Sequence, residues 1–186
     1  MVASFEANVY FSVEFNTNVR KRTMQILYFF VISILLSVNT YLDDKAFPET
    51  EVFTLDGKKV STYDYIGQGK PVIISFWATW CAPCKRELDT VSELFPEWKE
   101  KYDFELLAIT TDNSRGLRKV PAMVSAKGWE FTVLADKNQA LQQGLSFQTI
   151  PQTFVVDGSG NIVYEHTGYA PGDELKLEEL LEELSK

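Results

Sequence analysis

At 186 residues with an apolar share of 45%, the chain has one domain's worth of sequence and enough apolar residues for a sizeable core. A formal net charge of -8 argues against a nucleic-acid partner, because phosphate binding needs clustered Lys and Arg. Two cysteines cannot build the disulfide framework of a small secreted domain, so the core must hold the fold and the pair is free for chemistry.

Residues 1–23 form a pre-region to which no role is assigned. Arg20, Lys21 and Arg22 precede a stretch without a single charge, residues 23–42. Its most apolar part, Ile26 to Val38, has the length of a signal-peptide h-region. Taken out to Leu42 it reaches the lower limit for a transmembrane helix. Residues 24–42 are therefore expected to be a signal peptide or a membrane anchor. There is no A-x-A-like cleavage site to choose between them, and no cysteine at the end of the run to take a lipid. The basic triplet predicts export of residues 43 onward. Met24 is an alternative start, and a chain beginning there would lack that triplet.

After a polar linker (43–50), "VFTLDGKKVS" (52–61) predicts two short strands around an Asp56-Gly57 turn. "PVIISFW" (71–77) is apolar and rich in β-branched residues, as in a strand buried on both faces. From Pro83 to about Lys101 the apolar residues Leu88, Val91, Leu94, Phe95 and Trp98 recur at helical spacing, with Pro96 expected to kink that helix. "FELLAIT" (104–110) predicts the next buried strand, residues 115–127 a helix, and "FTVLAD" (131–136) a strand. Residues 138–145 predict a short helix with Asn138 as its cap. A hairpin of strands 153–157 and 161–168 and an amphipathic helix over 172–184 complete the chain. Alternating strands and helices followed by a hairpin predict an α/β fold, a mixed sheet with helices on both faces.

"WATWCAPCKRE" (77–87) holds both cysteines. Cys81 directly follows a buried strand, and Pro83 belongs in the first turn of a helix, where its missing N–H costs nothing. Cys81 is thus expected at a helix N-terminus, where free N–H groups and the helix dipole favour a thiolate. Cys84, three residues on, lies within bonding reach. Cys81 is expected to be the exposed, attacking sulfur and Cys84 the resolving one. Two other uses of a C-x-x-C pair are weighed. A metal site lacks ligands, since His166 is the only other strong candidate in the chain. A purely structural disulfide would close too small a loop to stabilise much.

"FWATWCAPC" (76–84) resembles the thioredoxin active-site segment, and "TIPQTFVVD" (149–157) resembles the loop that carries that superfamily's cis-proline. The 52–61 hairpin, the added β-α segment over 104–136 and the predicted export together resemble the TlpA/ResA branch of thiol–disulfide oxidoreductases. The resemblance covers residues 46–186 and implies a thioredoxin-like domain that needs no cofactor and no metal. It implies Cys81 as nucleophile, Cys84 as resolving cysteine and Pro151 as the cis-proline facing a Cys81–Cys84 redox disulfide. It further implies that Ile150 offers backbone groups to a substrate peptide and that Trp80 is the surface tryptophan beside the nucleophile. Gly168 resembles a glycine that leaves room near the site.

The sequence also departs from the pattern. Ser75 stands where thioredoxins proper carry a buried aspartate. Glu87 matches the branch's C-x-x-E glutamate, able to exchange the proton of Cys84, and it could equally be a solvated helix residue. Asp89 replaces a proline and brings a negative charge that would oppose thiolate formation. His166 reads as a hydrogen-bonded structural histidine. Asp112, Asn113 and Arg115 sit at a strand's carboxyl end, where ligands bind in α/β sheets, and carry no assigned role.

The resemblance implies reduction of disulfides in exported proteins, apocytochrome c among them, in the periplasm or at the outer face of the cytoplasmic membrane, with electrons from a membrane thiol donor. Two alternatives are a thiol peroxidase, disfavoured because Ala78 stands where its threonine would be, and a non-catalytic peptide-binding module.

Overall fold

Seven strands order themselves as β2-β1-β5-β4-β3-β6-β7 in one mixed sheet. The protein is seen as a computed structural model that describes residues 45–186, together with Gln25 and Tyr28. The pre-region (1–23) and the segment expected to be a signal peptide or anchor (24–42) lie outside the described residues, those two positions apart. Among the described residues, no helix is long and apolar enough to cross a membrane.

The elements are β1 (Glu51–Thr54), β2 (Lys59–Ser61), β3 (Val72–Trp77), α1 (Ala82–Lys101), β4 (Glu105–Thr110), α2 (Ser114–Leu117), α3 (Val120–Lys127), β5 (Thr132–Ala135), α4 (Ala140–Gly144), β6 (Gln152–Val156), β7 (Ile162–Thr167) and α5 (Asp173–Leu184). The centre of the sheet, β3, β4 and β5, is parallel. It is crossed over by α1 and by the α2–α3 pair, the geometry that parallel neighbours demand. Strand β6 returns antiparallel beside β3 and continues into the β6–β7 hairpin, while β1 and β2 pair antiparallel beyond β5. This is the thioredoxin-like α/β arrangement expected from the sequence.

Strand β3 is buried along its whole length and sorts its side chains by parity. Ile73 and Trp77 join the cluster under α1, α3 and α5, with Leu88, Val91, Trp98, Val120, Leu177 and Leu181. Val72, Ile74 and Phe76 face the opposite layer, with Phe47, Ile66, Leu141, Phe147 and Phe154. Each such large side chain contributes about 1.5–3 kcal/mol by leaving water, so α1 is anchored by Leu88, Val91 and Trp98.

Two local expectations are corrected. The helix expected over 115–127 is two helices, because Pro121 takes the first turn of α3 and Arg118–Lys119 form the break. Asn138 does not cap α4. Its cap position is Gln139 at φ 55°, and the Asp136 carboxylate accepts from Gln142 N–H at 2.8 Å instead. Helix α1 runs without interruption through Pro96, which leaves only the Ser92 carbonyl without its usual intrahelical donor.

Candidate active site

Cys81 ends the loop that leaves β3 and serves as the N-cap of α1, with Pro83 in the first turn. The backbone N–H of Cys84 donates to Cys81 Sγ at 3.3 Å. The two cysteines form a disulfide, with Cα atoms 5.4 Å apart. Free N–H groups at this helix end would likewise steady a thiolate on Cys81 once the bond opens.

Access to the pair is narrower than expected. Cys84 is fully buried, and Cys81, expected to be exposed, keeps only 4% of its surface. It is covered because Cys81 Sγ sits 3.9 Å from the Ile150 carbonyl oxygen, on the loop whose Ile150–Pro151 bond is cis. The exposed group is Trp80, at 72%, while Trp77 is core. Trp80, Thr111, Asn113, Gln139, Gln142, Gln148 and Ile150 line an open groove of about 290 Å3 beside the disulfide. Its walls are polar and carry no charge.

The loop before Cys81 is fastened from β4. Asp112 is 2% exposed and accepts from Thr79 N–H at 2.7 Å, from Thr79 Oγ1 at 2.8 Å and from Thr110 Oγ1 at 2.8 Å. Lys85 Nζ donates to the Thr79 carbonyl at 3.0 Å from the α1 side. Gly116 is required opposite, since any Cβ there would overlap Asp112 Oδ1. The sequence placed Asp112 at a strand's carboxyl end without a role, and the structure gives it this one. Asn113, next to it, caps α2 and lines the groove, whereas Arg115 lies outside it.

Glu87 is 4% exposed, so the solvated-helix alternative is excluded. Both of its oxygens are engaged: Ser75 Oγ donates to Oε2 at 2.8 Å and Thr153 Oγ1 to Oε1 at 2.6 Å. Burial pushes its carboxyl above the ordinary range, opposed by those two hydrogen bonds and by His166, while Asp173 adds to the rise. Ser75 and Thr153 are direct cross-strand neighbours, and Thr153 in turn faces His166 on β7. The hydroxyl pair escaped the sequence reading. Its trace was Ser75, the one polar residue in β3, and Thr153, beside Gln152 in β6.

Two further expectations change. Asp89 is not a free charge beside the sulfurs: it pairs with Lys127 Nζ at 2.6 Å and accepts from Trp129 Nε1 at 3.1 Å, tying α1 to α3. Gly168 leaves no tight space to fill. It is glycine because φ is +90°, and its N–H donates to the Pro151 carbonyl at 2.8 Å. His166 is hydrogen-bonded as expected, with Nε2 at 3.2 Å from Asp173 Oδ2. Among the described residues no cluster of His, Cys, Asp and Glu could hold a metal ion.

With this geometry established, comparison with known proteins adds identity of sequence. The AhpC/TSA family profile matches residues 44–165. The thiol-disulfide oxidoreductase ResA of Bacillus anthracis is 33% identical over 132 residues, which cover 71% of this chain and 73% of the relative. The solution structure of a thioredoxin-like protein from Porphyromonas gingivalis is 38% identical, with a TM-score of 0.66 over 74% of this chain and 90% of its own. A thiol:disulfide interchange protein of the thioredoxin family from Chlorobium tepidum, 22% identical, shares the fold at a TM-score of 0.61 over 76% of this chain and 97% of its own.

Proposed function

We propose, from the premise that the chain belongs to the AhpC/TSA family and is a thioredoxin-like thiol–disulfide oxidoreductase, that it reduces disulfides in exported proteins outside the cytoplasm. The observation that carries this reading is the Cys81–Cys84 bond at the start of a helix, beside an uncharged groove and in front of a buried glutamate.

In the reduced form, the Cys81 thiolate attacks a substrate disulfide. A Cys81–substrate bond forms and one substrate sulfur leaves as thiolate. Cys84 then loses its proton to Glu87, one helical turn on, and attacks Cys81 Sγ. The intramolecular disulfide closes, and the second substrate sulfur departs. Two electrons have passed to the substrate, and a membrane dithiol returns them. Ile150 lends its backbone to the substrate as an added strand, Pro151 shapes that loop, and Trp80 lies against the bound segment. Exported proteins, including apocytochrome c with its haem-attachment cysteines oxidised, are the proposed substrates. Residues 24–42 are the proposed export signal or anchor.

Insulin reduction tests the reading, with Cys81→Ser as control; equal turnover in that variant would overturn it. The potential of the pair decides direction. A value towards about -270 mV supports a reductase, and one near about -120 mV overturns it.

A further inference from the structure

Beside Glu87 lies a small half-open void of about 10 Å3 lined by Glu87, Thr153, Tyr164, His166, Asp173 and Leu177. That volume is about what one water needs, and the lining offers it several polar partners. The elements meeting here come from three sides. Helix α1 brings Glu87, β6 and β7 bring Thr153, Tyr164 and His166, and α5 brings Asp173. The register across the sheet sets Ser75, Thr153 and His166 in one row, from the buried β3 to the edge strand β7. Along that row surroundings pass from buried to half-open: Ser75 is 2% exposed, whereas the His166 and Asp173 side chains keep 37% and 34%.

We propose that His166 and Asp173 form a positioning pair that connects Glu87 to solvent through a single water in this void. The inference rests on the exchange reading above and extends it to the fate of the resolving proton. Glu87 must take a proton from Cys84 in every cycle and be rid of it before the next. Held by Ser75 and Thr153, the Glu87 residue keeps only 4% of its surface exposed. The void is the outlet. The proton moves from Glu87 to the water and on to the imidazole, whose tautomer and orientation Asp173 Oδ2 holds at 3.2 Å. Asp173 is itself fixed, since the same oxygen accepts from Ala170 N–H at 2.7 Å. His166 exchanges with solvent across its exposed edge. No charge is stranded, because the proton that leaves Cys84 is the one released at the surface.

Other groups bear on the same point. Tyr164 stacks on the imidazole, its ring centre 6.3 Å away, and burial and Asp173 push its hydroxyl's pKa up. Tyr164 therefore stays protonated and adds no charge to the void. Lys176 is the nearby cation of α5; it faces Tyr164 and pairs with Glu179.

Two measurements test the pair, using the full chain. The first is the rate at which Cys84 resolves a mixed disulfide with a chromogenic disulfide, followed against pH in His166→Gln and Asp173→Asn. Resolution is expected to slow about tenfold in His166→Gln, less than the roughly 100-fold or more of a directly acting base. First attack by Cys81 should keep its rate. The second readout needs no turnover: the Glu87 carboxyl carbon followed by NMR in the reduced protein. Its titration midpoint should rise in His166→Gln, which removes a group that lowers it, and fall in Asp173→Asn, which removes one that raises it. Unchanged resolution and an unmoved midpoint overturn the proposal. A wild-type chain that reduces nothing, while the Glu87 midpoint still answers to His166, overturns the exchange reading and leaves the coupling standing. His166→Ala, rescued by added imidazole, separates proton transfer from packing, and a failure of rescue at unchanged stability counts against the relay.

Discussion

Asp112 holds Thr79 by both ends, one carboxylate oxygen taking the backbone N–H at 2.7 Å and the other the hydroxyl at 2.8 Å. Thr79 stands two residues before Cys81, so a carboxylate at the end of β4 fixes where Cys81, the proposed nucleophile, is presented. Asp112→Ala leaves the Thr79 N–H and the two threonine hydroxyls without their acceptor. The expected loss is about 2–5 kcal/mol, since hydrogen bonds to charged groups are worth about 1.5–3 kcal/mol each and their sum is not additive. Urea unfolding of the oxidised protein measures it, and insulin reduction should fall alongside.

Cys84→Ser removes the resolving sulfur and leaves Cys81 intact. The variant should accumulate a stable mixed disulfide with an oxidised peptide, visible as a mass shift that dithiothreitol abolishes. In Cys81→Ser the adduct should not form. An adduct in the second variant and none in the first would reverse the two roles.

Glu87→Gln should change how stability depends on pH. Burial holds the Glu87 carboxyl above the ordinary range, so the folded state keeps its proton at pH values where the unfolded state has lost it. Stability from this group is full below the ordinary carboxylate value and is lost as pH rises through the raised one. Glutamine does not titrate. The melting temperature of the oxidised variant relative to wild type should therefore be level at the acid end and climb as pH rises above the ordinary carboxylate value of about 4. A difference independent of pH would contradict the buried, proton-holding carboxyl.

Trp80→Ala tests the groove without disturbing the core. Its side chain is 72% exposed, so stability should stay within about 0.5 kcal/mol. An aromatic contact worth about 0.5–1.5 kcal/mol predicts a KM for a disulfide peptide raised roughly 2- to 10-fold, with kcat little changed. Steady-state kinetics on one peptide would read it.

Local grammar made the site's front half legible. A buried strand, a proline in the first helical turn and two cysteines three residues apart are each written within a dozen residues, and the 149–157 loop is equally compact. The back half was not legible for a physical reason. Glu87's partners, Ser75 and Thr153, are 78 residues apart and meet only because the β3–β6 ladder sets them opposite each other. Register of that kind is a property of the whole sheet. The same holds for Asp89, whose partners Lys127 and Trp129 arrive with α3 and its C-terminal turn. The exposure of Cys81 was misjudged because its cover, Ile150, comes from a loop 69 residues away. Helix ends failed more simply: Pro121 starts a helix where a continuous pattern hid a break, and the Asp136 carboxylate, accepting from Gln142 N–H, replaces the expected Asn138 cap.

Cys81 and Cys84 belong to the same packed cluster as Trp77, Leu88 and Val91. Opening their bond therefore alters the interior and not merely a surface group, and melting and electron affinity become two readings of a single thermodynamic cycle. A change that favours the oxidised packing over the reduced by about 1.4 kcal/mol moves the potential by about 30 mV. Trimming one methylene at Leu88, with no sulfur touched, is thus a way to retune which partners this chain can exchange electrons with.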